Sequence, residues 1–406
     1  MKTPFFSVVI PTKGRSFIVG DAVQSVLRQT FPDFEVVVVD NDDGDATAKV
    51  LGQFKDPRFR HHRTGGLPMP ENWETACTQG KGEFLLLLED KQALHSCALE
   101  HLYKLIEKHQ PPCIRWRADI FDDTTDTTWV EEAGGSGEAH FRMSEDVLRT
   151  YVSGTTDAGW KILPVGHWSA FSRKLCDAVR AGPTGRLCPP VSPDYTIAIQ
   201  AMAFGDGVLC VDRALAVTSR RHSNGRSVAQ KTALGKQFMA ELGGASRLWS
   251  RTPIQAPIIS SSLYNDYLEL REIIGGRLNE FPPDWVNYYV ESWRSILGLD
   301  YQGIPAADDF AAFHAALAKE TPEMQKRVWT AIEEREAPPE VSLRKNRRKA
   351  LRRRIGLLAL ETRWKLLTRR VTGRKHVGKF RNSLEFAIWA DKHRVRDDGR
   401  RDPLSA

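Results

Sequence analysis

The feature that most constrains this chain is a change of hydrophobic period that repeats through its first 110 residues. Ser7–Ile10 is a short apolar run. A run with no polar face fits a strand covered on both sides. Ala22, Val23, Val26 and Leu27 then recur at helical spacing, which predicts a helix over Val19–Gln29 with one face on the sheet. The alternation continues with strands at Val36–Val39, Arg58–His62 and Phe84–Leu88, and helices at Ala46–Phe54, Glu71–Thr78 and Leu99–Lys108. Strands joined through helices of these lengths need crossover connections. The expected fold class is therefore α/β, a mostly parallel sheet with helices on both faces.

In such sheets the ligand sits where loops leave the carboxyl ends of the strands. Three polar clusters fall at that edge: Thr12–Arg15, Asp40–Asp43 and Glu89–Lys91. One acidic cluster after a strand is ordinary turn chemistry. Three at one edge point to a polar ligand. Further on, residues 122–160 read as loops around short elements, and Trp168–Val179 as a strand leading into a helix. Pro193-Asp194-Tyr195 opens a helix through Ala203, and Val208–Val211 is the last strand of this part. From 232 to 335 the pattern is helical, with Trp249, Trp285, Trp293 and Trp329 as expected core anchors.

The 406 residues allow more than one domain, and 41% hydrophobic with 27% charged residues is ordinary for a soluble globular protein. Six cysteines stand without the close spacing of a disulfide framework or zinc site, which reads as reduced thiols in a cytoplasmic protein. Met1-Lys2-Thr3-Pro4 runs straight into a strand-like segment, so no signal peptide is expected. No apolar stretch approaches the roughly 20 residues that span a bilayer.

The net charge of +7 hides an asymmetry: residues 341–406 hold 21 Lys and Arg against 6 Asp and Glu, leaving the first 340 residues net acidic. Eight basic residues lie between Leu343 and Arg354, and Leu351, Ile355 and Leu358 follow at helical spacing. This fits an amphipathic helix on an anionic membrane surface over 343–370, or a basic helix packed on the acidic body. No nucleic-acid reader motif accompanies the charge.

Ser7-Val8-Val9-Ile10-Pro11-Thr12, then Ser25-Val26-Leu27 with Gln29-Thr30-Phe31, then Phe34-Glu35-Val36-Val37-Val38-Val39-Asp40-Asn41, resembles the opening of family 2 glycosyltransferases. Asn72-Trp73, Gly82-Glu83-Phe84, Phe171–Arg173 and Pro193-Asp194-Tyr195 continue the likeness, which covers about 5–225. The resemblance implies a Rossmann-like GT-A fold and a nucleoside diphosphate-sugar donor, a UDP-sugar first among them. It implies donor contacts at Pro11, Thr12, Lys13, Arg15, Asp40, Asn41, Asp90 and Lys91. Asp194 matches the family's general base, and the family inverts the anomeric centre. The family's acidic motif at the fourth strand ends on a metal ligand, where this chain has Lys91. Either Glu89 and Asp90, with His222, hold Mg²⁺ or Mn²⁺, or the Lys91 ammonium supplies the charge itself. His167 reads as a structural or acceptor-pocket histidine, and His61-His62 as exposed strand edge.

The expected organisation is a GT-A domain over 1–230, a helical region over 231–340 and a basic tail over 341–406. The expected activity is inverting sugar transfer to a glycan or lipid-linked acceptor at the inner membrane face. Two alternatives are a sugar nucleotidyltransferase, against which the single glycine in Pro11–Arg15 counts, and a degenerate binding or scaffold protein.

Overall fold

The computed structural model describes residues 3–122, 129–131, 135–153, 162–219, 228, 231–301, 303–336, 374–375 and 380–393. His222 and the basic segment 343–370 lie outside the described residues. The chain opens with β1 (Phe6–Thr12), α1 (Ser16–Leu27), β2 (Phe34–Asp40), α2 (Ala46–Leu51), β3 (Phe59–Arg63), α3 (Met69–Gln79) and β4 (Phe84–Leu87). β1 runs parallel to β2 on one side and β4 on the other, and β2 runs parallel to β3.

Alternate side chains serve opposite faces, as the strand repeat requires. Val8, Ile10, Val36 and Val38 meet α1 and α4 (Ala98–His109) on one face. Val9, Val37 and Val39 pack with Trp73 and Cys77 of α3 on the other. Two-sided burial is why these strands read as unbroken apolar runs. Gly82 lets the chain pass beside β1: a Cβ there would stand 2.6 Å from the Ser7 nitrogen.

Beyond β4 the sheet is mixed. The remaining strands are β5 (Gln92–Leu94), β6 (Cys113–Asp122), β7 (Trp129–Glu131), β8 (Ala139–Met143), β9 (Ser169–Ser172) and β10 (Gly207–Ser219). β9 inserts between β4 and β6, antiparallel to both. β10 runs parallel to β6 and antiparallel to β5 and β8. Helices α5 (Ser144–Val152), α6 (Arg173–Ala181) and α7 (Pro193–Phe204) cover the face that also carries α3.

The helical region comprises α8 (Ala233–Glu241), α9 (Ala245–Leu248), α10 (Ile259–Ile274), α11 (Trp285–Tyr301), α12 (Ala307–Leu317) and α13 (Pro322–Glu336). Of the four expected anchors, Trp249 is buried, while Trp285, Trp293 and Trp329 are partly buried around a centre of Tyr288, Tyr289 and Phe313. Indole is large enough that full burial is uncommon. α10 also places Tyr267 and Leu270 in the core under α3 and α7, so the two regions share apolar packing.

The chain then returns to the sheet. β11 (Arg374–Lys375) pairs with β7, and α14 (Ser383–His393) sets Phe386, Ala387 and Ala390 on Ala93, Phe121 and Val217. The buried His95 ring lies 3.1 Å from Asp119 through Nε2 and 3.1 Å from Asp391 of α14 through Nδ1. Docking of α14 therefore rests on one aromatic plug and one charged tie. Phe386→Ala is expected to weaken it by about 3 kcal/mol, because a fully buried ring leaves a cavity. Limited proteolysis with mass mapping would show cleavage within α14 rising about a hundredfold while the rest of the body stays intact.

Candidate active site

The loops after β1, β2 and β4 converge with the first turn of α7 on a cavity of 1210 Å³. Pro11, Thr12, Lys13 and Arg15 line it from the first loop and Asn41 from the second. Glu89, Asp90 and Lys91 line it from the third, and Asp194 from α7. The parallel register explains the convergence, since Thr12 stands opposite Asp40 where both strands end.

Asp90 is buried, with each carboxylate oxygen held separately. Thr12 Oγ1 donates to Oδ2 at 2.7 Å, and Arg15 Nη1 donates to Oδ1 at 2.7 Å. Burial opposes the Arg15 charge, but Asp90 outweighs it, and the guanidinium pKa lies above its ordinary value. Lys91 Nζ lies 3.2 Å from Glu89 Oε2. Burial pushes the Glu89 carboxyl up; Lys91, His167 and Arg15 together pull it down further, so it ends below the usual range.

Asp40 is fully buried directly behind this edge. Its Oδ1 accepts from the Asp42 N–H at 3.0 Å, and its Oδ2 lies 3.2 Å from His61 Nε2 and 3.8 Å from Arg63 Nε. The β2–β3 register sets Arg63 opposite Asp40, and His61, two residues earlier, shares that face. β3 is an edge strand, yet only His62 of the two histidines is exposed. The Asn41 amide is engaged with the loop at 64–67: its Oδ1 accepts from the Leu67 N–H, and its Nδ2 donates to the Leu67 carbonyl at 2.6 Å. Asp42 accepts from the Gly14 N–H, tying the first two loops together.

Asp194 Oδ2 lies 3.5 Å from His167 Nδ1. That buried nitrogen and the buried Trp168 Nε1 have no hydrogen-bond partner among the described residues, and both residues line the cavity. Gly166 permits the approach, since a Cβ there would stand 3.2 Å from the Asp194 Cα.

The helix that carries Asp194 is held at both ends from the helical region. Asp266 of α10 accepts from the Val191 N–H through Oδ1 and the Ser192 N–H through Oδ2, each at 2.9 Å. At the other end Arg277 Nη1 donates to the Met202 carbonyl at 2.8 Å and also to that of Gly205. An anion before a helix N-terminus and a cation on its last carbonyls both complement the helix dipole. Burial raises the Asp266 carboxyl to about 7 despite the two N–H donors, which pull it down.

The carboxylates at the strand ends fit a divalent metal poorly. Both oxygens of Asp90 already accept hydrogen bonds, and Lys91 sits on Glu89. Among the described residues no group of three or more His, Cys, Asp or Glu side chains is arranged to hold a metal ion.

A parallel β3-β2-β1-β4 sheet with a charged carboxyl edge, an acidic residue opening a later helix and a mixed extension together define a GT-A type domain. Residues 7–179, a little under half of the chain, match the family described as Glycosyl transferase family 2.

The GalNAc(5)-diNAcBac-PP-undecaprenol beta-1,3-glucosyltransferase of Campylobacter jejuni is 30% identical over 103 residues, 24% of this chain and 33% of the relative. The poly(ribitol-phosphate) beta-N-acetylglucosaminyltransferase TarS of Staphylococcus aureus is 28% identical over 111 residues, 26% of this chain and 19% of the relative. The matches thus span a third or less of these relatives' length. The solved structure of TarS 1-349 in complex with UDP-GlcNAc aligns over 81% of this chain and 90% of that chain, with 14% identity and a TM-score of 0.45.

Asp266→Ala would strand two buried N–H donors and cost about 3 kcal/mol, read as a lower unfolding midpoint. The pH dependence has a definite sign. A carboxyl held near 7 when folded, above its unfolded value of about 3.9, favours the folded state most below pH 4. That contribution is lost as pH rises through about 7. The difference in stability between wild type and Asp266→Asn should therefore change by a few kcal/mol, on the order of one per pKa unit, between pH 4 and 7.

Proposed function

We propose that this chain is an inverting glycosyltransferase that moves a sugar from a nucleoside diphosphate donor, a UDP-sugar first, to an acceptor hydroxyl. The observation that carries this reading is the meeting, in one cavity, of the strand-end loops of a family 2 domain with the Asp194 carboxylate. The nucleotide would lie along the β1 and β2 loops, at Pro11–Arg15 and Asn41, with Asp40 held behind them rather than in contact and the diphosphate towards Arg15 and Lys91. Asp194 takes the proton from the acceptor hydroxyl as that oxygen bonds to the anomeric carbon on the face opposite the diphosphate. The bond from the anomeric carbon to the phosphate oxygen breaks in the same step, and its electron pair leaves with the diphosphate.

His167 adjoins Asp194 and Glu89, which suits an imidazole that orients the base or contacts the sugar. The pairing of Lys91 with Glu89 favours charge supplied by Lys91 and Arg15 over a bound metal, and no step here is routed through one. One relative is named for transfer to a lipid-linked glycan and the other for transfer to poly(ribitol-phosphate), which supports a carrier-borne acceptor.

Thermal unfolding with UDP, GDP and CMP, each with and without Mn²⁺, tests the donor site. A nucleotide at a hundred times its Kd adds about 2.7 kcal/mol of stability. Stabilisation by UDP that Mn²⁺ leaves unchanged is expected; no shift with any nucleotide would refute the donor site. Asp194→Asn should lower kcat by about 10² to 10⁴ while the UDP shift is kept. Full activity in that variant would remove Asp194 from the base role.

The basic segment 343–370 is proposed to rest on an anionic membrane surface, each Lys or Arg contributing about 1 kcal/mol near it. Co-sedimentation of the full chain with phosphatidylserine vesicles, lost at high salt and absent with phosphatidylcholine alone, is the expected result. Equal binding to both vesicle types would refute it.

A further inference from the structure

The cavity has two walls of different character. The strand-end wall is charged. The helical wall, from α8, the start of α10 and the end of α11, presents Leu234, Phe238 and Ile259, with the buried Ile258, Leu263 and Leu299 behind them. Several polar groups on that side already have partners. Ser262 Oγ accepts from Trp249 Nε1 at 3.1 Å, and Glu241 accepts from Gln237 and pairs with Lys13. At its rim Phe17, Leu234 and Ile259 are 64%, 54% and 41% exposed, three of the seven large apolar side chains so exposed among the described residues. Apolar surface concentrated at one mouth marks a binding surface rather than scatter.

Chemistry narrows the occupant. A glycan laid on this wall would bury hydroxyls against aliphatic carbon, at roughly 1–3 kcal/mol for each one left without a partner. A hydrocarbon gains about 0.8 kcal/mol for each buried methylene. The 1210 Å³ volume exceeds the roughly 300–1,000 Å³ of a single small-molecule site, leaving room beside a nucleotide-sugar. Asp194 lines the same cavity, so a ligand on this wall can be joined to the hydroxyl that loses its proton.

We propose that this wall is a subsite for the hydrocarbon portion of the acceptor, an alkyl or prenyl chain adjoining the headgroup that receives the sugar. It rests on the reading of Asp194 as the base of the transfer site, and it narrows the acceptor to a lipid-linked one. Chain carbons next to the headgroup lie against Ile259 and Phe238, and the headgroup hydroxyl reaches Asp194.

Calorimetric titration of the full chain with hexyl, octyl and decyl phosphate, below their micellar concentrations and without nucleotide, tests it. Affinity should rise with chain length, by up to about fourfold per methylene. Leu234→Gln and Ile259→Asn, both at exposed positions where folding is spared, should flatten that dependence. Affinity independent of chain length, or a dependence that both variants leave unchanged, would overturn the subsite. So would a wild-type dimer in sedimentation that Ile259→Asn converts to monomer, because the patch would then be an interface between copies. If UDP fails to bind while the chain-length dependence persists, the donor site falls and the apolar subsite stands.

Discussion

Everything at the ligand edge follows from one electrostatic constraint. The parallel strands end together, so Asp40, Asp42, Glu89 and Asp90 gather in a zone largely shielded from water. An ionised carboxylate taken out of water without a partner costs several kcal/mol, and like charges nearby add to it. The fold answers acid by acid: Asp40 has His61 and Arg63, Asp42 has Gly14 and Thr47, Glu89 has Lys91, and Asp90 has Thr12 and Arg15. Two of these answers, Gly14 with Asp42 and Thr12 and Arg15 with Asp90, join loops that the sheet alone would leave independent. The edge is thus stiffened by the charges that make it useful.

This constraint separates what the sequence shows from what it hides. Strands β1, β2 and β4 announce themselves because two-sided burial forces apolar runs, and the clusters at their ends name the edge. Asp194 is visible because proline and an acid open a helix. The partners of the acids are less visible, since a basic residue on a short edge strand looks the same whether it meets Asp40 or water. His61 is the clearest case. The insertion of β9 between β4 and β6 is also hidden, because four residues carry no periodicity and the pairing is set by a strand eighty residues away.

The deepest concealment lies in α10 and its successor turn. Asp266 and Arg277 sit in a stretch whose local pattern says only amphipathic helix, yet they hold the two ends of α7. A carboxylate aimed at backbone N–H groups leaves no mark on its own neighbours in sequence. The consequence is mechanical. Asp194 is two residues from Ser192, so its position is set as much by a helix seventy residues downstream as by the sheet. The helical region is part of the apparatus that places the acid.

The same reasoning bears on Lys91. Around the cavity edge the pairs Arg15–Asp90 and Lys91–Glu89 are each near neutral, so any anion arriving there does not meet a preformed surplus of positive charge. It must loosen one pair. Asp90 accepts two short bonds and is buried, whereas Glu89 is one-fifth exposed and its contact with Lys91 is longer. The Lys91 ammonium, a point charge on a flexible stem, can leave its carboxylate at lower cost than the Arg15 fork can leave Asp90. On this balance Arg15 keeps the edge rigid, and Lys91 is the cation freer to change partners.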